Sequence, residues 1–129
     1  MKTVSSVLLC SGLLLGGGCN PLAPKQMVVL GVSKLDAPAT VAAGSTLTVV
    51  LTVETGGCVS FDRIEVTRDA GGANLTAWGV DANRKGINCP DILLETPHSY
   101  DFKPPFQSPF TIQVQRGRLS PLTATVQVQ

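Results

Sequence analysis

A chain of 129 residues has room for one domain with a modest hydrophobic core and not for two. Its ten basic and nine acidic residues give a formal net charge of +1, and the two signs are interspersed along the sequence. Because a nucleic-acid-binding protein normally concentrates basic residues on one face, we predict no nucleic-acid partner.

The first 19 residues have the organisation of an export signal. Lys2 supplies a positive charge, Val7 to Leu15 form a short apolar run, and three glycines lead to Cys19. Glycines beside a cysteine offer a peptidase a cleavage site without bulky side chains. The apolar run is far too short to span a bilayer as a helix. We therefore predict that residues 1–18 are a signal peptide.

The segment Leu13–Cys19 resembles the lipobox of bacterial lipoproteins, with Gly16 where that family usually has leucine. The resemblance covers only residues 1–19. It implies that Cys19 receives a diacylglyceryl thioether, becomes the mature N-terminus and holds the protein in a membrane through its acyl chains. The location it implies is the cell envelope, lipid-anchored and outside the cytoplasm.

The rest of the chain is predicted to be a short tether followed by one all-β domain. Residues 19–26, the lipidated cysteine and the tether, contain two prolines and no periodicity. Over residues 27–129, apolar residues recur at every second position, and no segment has the apolar stripe of a helix. Strands marked by this alternation are predicted at 28–32, 47–54, 61–68, 75–80, 92–95, 99–102, 110–114 and 122–128.

The connections between these strands carry local signals. The segment 37–44 is predicted to be a turn, and Gly56-Gly57 ends the second strand. A break in alternation predicts a bulge near Asp62 or Arg63, and residues 69–72 form a hairpin turn. Pro97 is expected to separate two short strands, because proline cannot donate to a central ladder.

Six to eight short strands with turns about every ten residues predict an antiparallel β-sandwich of about seven strands. The segments Pro38–Val49 and Phe106–Gln129 resemble the opening and closing strands of bacterial immunoglobulin-like domains. This resemblance implies an immunoglobulin-like sandwich. Trp78, the only tryptophan, is expected to be a core residue rather than a ligand platform.

Two cysteines remain for the folded domain, since Cys10 lies in the signal peptide and Cys19 takes the lipid. In an exported domain the simplest expectation is that Cys58 and Cys89 form a disulfide bond. The alternative is two separate buried thiols.

The loop 81–91 is the predicted binding segment, because a disulfide would hold one side of it. It is rich in polar and charged residues: Asp81, Asn83, Arg84, Lys85, Asn88 and Asp91. Binding residues are often presented by loops on a rigid scaffold. The alternative is an ordinary solvated connection.

The sequence has no signature of catalysis, of a metal site or of a cofactor. Two cysteines and one histidine lack the paired spacing of a zinc site, and no nucleophile elbow is present. His98 is expected to be a loop or edge residue. Asp62 and Glu65 alternate with Arg63, as on a solvated strand face.

We therefore expect a non-enzymatic lipoprotein that serves as a structural or protein-binding module, with a membrane as one partner and an envelope protein as another. The alternative is an inhibitor or carbohydrate-binding module, secreted or anchored, that acts through the loop 81–91.

Overall fold

The computed structural model describes residues 26–82 and 88–129. The predicted signal peptide, Cys19 and nearly all of the tether lie outside these residues, as do Asn83, Arg84 and Lys85. Among the described residues, no helix is long and apolar enough to cross a membrane. The strands in this part of the chain are β1 Gln26–Val29, β2 Gly31–Asp36, β3 Thr40–Val41, β4 Leu47–Thr55, β5 Val59–Arg68, β6 Gly72–Asp81, β7 Leu94–Phe102, β8 Phe110–Arg116 and β9 Leu119–Val128.

The strands form two sheets. A six-stranded sheet has the order β1, β6, β8, β9, β3, with β5 also paired to β6, and a three-stranded sheet has the order β2, β4, β7. One edge of β6 pairs with β5 along nearly all of its length. Its other edge is shared, because β8 covers Gly72–Thr76 and β1 covers Trp78–Asp81.

The core lies between the two sheets, which is the arrangement of a β-sandwich. From β4, the alternating residues Leu47, Val49, Leu51 and Val53 are fully buried. The opposing sheet contributes buried residues from three strands: Leu75, Ile112, Val114 and Val126. Full burial of one such side chain stabilises a fold by about 1.5–3 kcal/mol, so the alternation that predicted these strands also describes what holds the sheets together.

Several local predictions are confirmed. The register of β5 shifts between Phe61 and Arg63, where a bulge was expected. The β5–β6 turn is held by Asp69, whose Oδ1 accepts hydrogen bonds from the amides of Gly71 at 2.8 Å and Gly72 at 3.0 Å. Asx-type acceptance of this kind stabilises tight turns.

The predicted first strand is wrong in one respect, since the chain forms two strands there instead of one. Leu30 separates β1 from β2, and its amide donates to the carbonyl of Ala77 at 2.8 Å. Val28 packs on the core from the six-stranded sheet, and Val32 does so from the three-stranded sheet. Because both sheets bury side chains in the same core, apolar residues still alternate where the chain passes from one sheet to the other. The sequence pattern therefore does not reveal the change of sheet at Leu30.

The two short strands predicted around Pro97 are also wrong. The chain forms one strand, β7, from Leu94 to Phe102, and Pro97 lies opposite Thr52 of β4. β7 is the edge strand of its sheet and has no neighbouring strand on its open side. A proline, which has no amide hydrogen to donate, is tolerated in such a strand. Ile92 and Leu93, which were expected to begin a strand, precede β7.

Pairing is not antiparallel throughout. The β6–β8 and β3–β9 pairs are parallel. The strand β3 has only two residues and lies in the segment 37–44, which was predicted to be only a turn. With nine strands in the described residues, the sandwich also has more strands than the expected number of about seven.

Candidate functional site

A disulfide bond links Cys58 to Cys89, as predicted, with Cα atoms 5.2 Å apart. It joins the β4–β5 turn to the segment before β7, and the amide of Ala82 donates to the carbonyl of Cys58 at 2.9 Å. Closing a loop of this length stabilises a fold by about 3–4 kcal/mol in the chain-entropy model. We call this end of the sandwich, where Thr55, Val59, Asp81 and Leu94 begin or end strands, the disulfide end.

The residues of the predicted binding loop are only partly accounted for by the described structure. Asp81 is the last residue of β6, half-buried, and pairs in register with Gln26 and Val59. Asn88 and Asp91 are exposed. Asp81 and Asp91 line the same groove, whereas Asn88 is not among its lining residues.

This groove at the disulfide end has a cavity volume of about 530 Å³. Its described lining combines apolar side chains with acidic ones: Val28, Val29, Leu30, Ile92 and Leu93, together with Glu54, Asp81 and Asp91. No lysine or arginine is among the described lining residues. The groove is therefore lined by both apolar and acidic residues.

The wall of the groove is fixed by a close backbone approach. A Cβ atom added to Gly56 would collide with the carbonyl oxygen of Ile92, and one added to Gly57 would lie 3.3 Å from that of Pro90. Gly57 also has a φ of 62°, which disfavours other residues. The two glycines were predicted only to end a strand, and they also allow the segment before β7 to lie directly on the β4–β5 turn.

Apolar residues are exposed at this end of the molecule to an unusual degree. Of the six large hydrophobic residues exposed in the described part of the chain, five are in β1 or in and just before β7: Met27 at 38%, Val29 at 39%, Ile92 at 53%, Leu93 at 68% and Leu94 at 51%. The sequence did not predict this surface, because Ile92–Leu94 were expected to lie in a strand. Three successive apolar residues cannot all point to one side of a strand, and that signal could have revealed it.

The opposite end of the sandwich is closed by Arg68. Its guanidinium donates to the carbonyls of Lys103 at 2.7 Å, Pro105 at 2.5 Å and Asp69 at 3.1 Å. An open groove of about 840 Å³ lies beside it, lined by the β5–β6 hairpin and by Gln107, Thr111 and Gln113. Because three of the five donors of Arg68 are used within the fold, this residue has a structural role.

Trp78 is not a core residue, contrary to expectation. Its neighbours Leu75 and Ala77 are buried, so Trp78, at the alternate position, lies half-buried on the outer face of the six-stranded sheet. Arg63 lies over the ring at 6.0 Å, and Val29 is its register partner on β1. The indole Nε1 is buried and has no hydrogen-bond partner among the described residues.

The charged strand face predicted around Arg63 is confirmed. This arginine forms ion pairs with Asp62 at 2.7 Å and Glu65 at 3.8 Å, and all three side chains are exposed. His98 lies on the edge strand β7, as expected, and its ring stacks on Phe61 with centroids 3.7 Å apart. Within the described ranges, no three histidine, cysteine or acidic residues are grouped as a metal site would require.

Comparisons of this chain with models of known protein families, with curated proteins and with solved structures found no match. The described features are therefore those of an all-β protein of two sheets with one disulfide bond and an exposed apolar surface beside it.

Proposed function

We propose that the protein is a lipoprotein of the bacterial cell envelope, anchored through Cys19, whose β-sandwich is a non-enzymatic binding module outside the cytoplasm. The observation that carries the proposal is the Cys58–Cys89 disulfide. Stable disulfides are typical of exported proteins and rare in the cytosol. The bond uses two of the four cysteines and leaves Cys10, within the apolar leader, and Cys19, directly after it, of which Cys19 is the proposed site of lipid attachment.

The sandwich is proposed to be immunoglobulin-like. The two-sheet architecture and the position of β4 directly after the segment Pro38–Thr46 support this assignment. The parallel β6–β8 pair is a departure from the antiparallel sheets that define that fold.

The anchor is tested by the mass of the mature protein after expression of the full chain in a bacterial host. We expect a mass that corresponds to residues 19–129 plus acyl chains, and two thiols that appear only on reduction. The Cys19→Ser variant should lose the acyl mass, whereas the matched Cys10→Ser variant should keep it, because Cys10 lies in the cleaved segment. An unlipidated wild-type protein, or acylation that survives Cys19→Ser, would contradict the proposal.

A second candidate is an inhibitor or carbohydrate-binding module that acts through the loop 81–91. It is supported by the groove to which Asp81 and Asp91 contribute. The double variant Arg84→Ala/Lys85→Ala should then abolish binding to an immobilised glycan or protein target without changing the melting temperature. Retention of target binding by this variant would exclude the loop's two basic residues as the binding determinant.

A further inference from the structure

We propose that the disulfide end is a membrane-docking face, on which Ile92, Leu93 and Leu94 enter the headgroup region of the bilayer that holds the lipid anchor. We define the docking face by five exposed apolar residues: Ile92, Leu93 and Leu94, together with Met27 and Val29 of the adjoining strand β1, on the outer face of the six-stranded sheet. This inference rests on the proposed lipidation of Cys19. It goes further because it gives the sandwich a fixed orientation and a second attachment to the same membrane.

The exposed apolar residues are concentrated on this face. A domain surrounded by water scatters such residues, whereas a concentration of them beside a groove marks a surface that is covered in use. Only one exposed large hydrophobic residue of the described part, Leu119, lies outside the docking face. Apolar side chains held at the boundary of headgroups and acyl chains are what interfacial membrane proteins use for attachment.

The short chain between the proposed anchor and the fold also favours this face. Seven residue steps separate Cys19 from Gln26, so even a fully extended chain spans no more than about 25 Å. Gln26 lies opposite Asp81, which lines the groove together with Ile92 and Leu93. The anchor therefore keeps the docking face close to the lipid, while the β5–β6 turn lies a full strand length farther away.

The apolar segment Ile92–Leu94 is already held in place by the fold. The disulfide fixes Cys89 on one side of it, and the pairing of Leu94 with Thr55 fixes the other. Between them, the backbone at Ile92 lies against Gly56. Insertion of these side chains thus requires little ordering of the chain, which favours binding.

The charges of the face identify the kind of attachment. Glu54, Asp81 and Asp91 line the groove, and Glu95 pairs in register with Glu54. Carboxylates are not attracted to lipid headgroups in the way that polybasic segments are attracted to anionic lipids. Apolar insertion must therefore hold the face, and docking should persist at high salt.

The test uses the full lipidated protein in phosphatidylcholine vesicles that contain brominated acyl chains, which quench tryptophan fluorescence on contact. In the Leu93→Trp variant we expect the added emission, after subtraction of the wild-type signal from Trp78, to be quenched several-fold more than in the Gln107→Trp variant. Gln107 is exposed and lies beside the β5–β6 turn, at the opposite end of the sandwich from the docking face. The quenching should be unchanged by high salt.

Equal quenching of the two variants, quenching of neither, or loss of quenching at high salt would overturn the docking face. Protection of Leu93 through a second copy, detected as a crosslinked dimer without quenching, would also overturn it. The intact mass of each sample is measured as well. An unlipidated mass would contradict the proposed function, whereas a lipidated protein without the expected quenching would contradict only the docking face. Should either variant misfold, amide exchange of the wild-type protein replaces this test. The docking face predicts slower exchange over residues 91–94 in vesicles than in detergent, and equal rates would overturn it.

Discussion

The guanidinium of Arg68 lies 5.0 Å from the centre of the Phe110 ring, and the rings of Phe106 and Phe102 are 5.1 and 5.9 Å away. The same guanidinium donates to three backbone carbonyls of the neighbouring turns. One residue at the end of β5 thus connects the hairpin, the turn after β7 and the aromatic part of the core.

The Arg68→Lys variant should therefore be less stable than the wild type, even though it keeps the charge. An ammonium group cannot reproduce the planar set of donors, and we expect a loss of about 1–3 kcal/mol in the free energy of unfolding. Urea denaturation measures it. The control is Arg118→Lys, at an exposed arginine of the β8–β9 turn; equal midpoints for the two variants would show that Arg68 does not connect these elements.

Removal of the disulfide by Cys58→Ser/Cys89→Ser should lower the free energy of unfolding by about 3–4 kcal/mol. The expected cause is the greater conformational freedom of the unfolded chain between the two positions. Calorimetry of the variant should agree with that of the reduced wild-type protein. A variant as stable as the oxidised protein would mean that other contacts hold the disulfide end together.

The Gly56→Ala variant should be destabilised, because the new methyl group would meet the carbonyl oxygen of Ile92. Relief of this overlap requires movement of the backbone on both sides of the contact, at a cost of about 1–3 kcal/mol. Gly44→Ala is the matched control, since a Cβ there meets nothing within 4 Å. We expect the control to melt at the wild-type temperature or slightly above it, and a similar melting temperature for both variants would disprove the close approach.

The Trp78→Phe variant should have a free energy of unfolding within about 1 kcal/mol of the wild-type value, despite the loss of a large side chain. Burial of an unpaired N–H costs about 1–3 kcal/mol, and phenylalanine removes that donor while retaining a ring for Arg63. Chemical denaturation followed by circular dichroism measures the difference without relying on tryptophan emission. A loss well above 2 kcal/mol would indicate that Nε1 has a partner in solution.

The parts of the fold that the sequence predicted well depend on short-range signals. The alternation in β4 and β8, the bulge in β5 and the hairpin turn at Asp69 are all encoded within a few residues. The crossover at Leu30 and the strand through Pro97 depend instead on which sheet a strand joins and on whether it lies at an edge. Local patterns do not carry that information.

The candidate site, like the fold, could be predicted only in part. The cysteine pair could be inferred from counting and compartment, and the structure confirms it. The run of three apolar residues at Ile92–Leu94 is a partial signal of the exposed surface, but its position depends on the backbone at Gly56. The outward position of Trp78 depends on which face of β6 meets the core.

The first strand of the sandwich has a mechanical consequence. β1 is four residues long and pairs with the last four residues of β6, and the chain that would lead to the lipid joins it directly. Any pull between the proposed anchor and the domain would therefore be borne by this short pairing before any other part of the fold. A molecule whose β1 has peeled away presents the backbone of Trp78–Asp81 as an open edge. Such an edge can pair with the first strand of another molecule, so detachment of β1 opens a route to strand exchange.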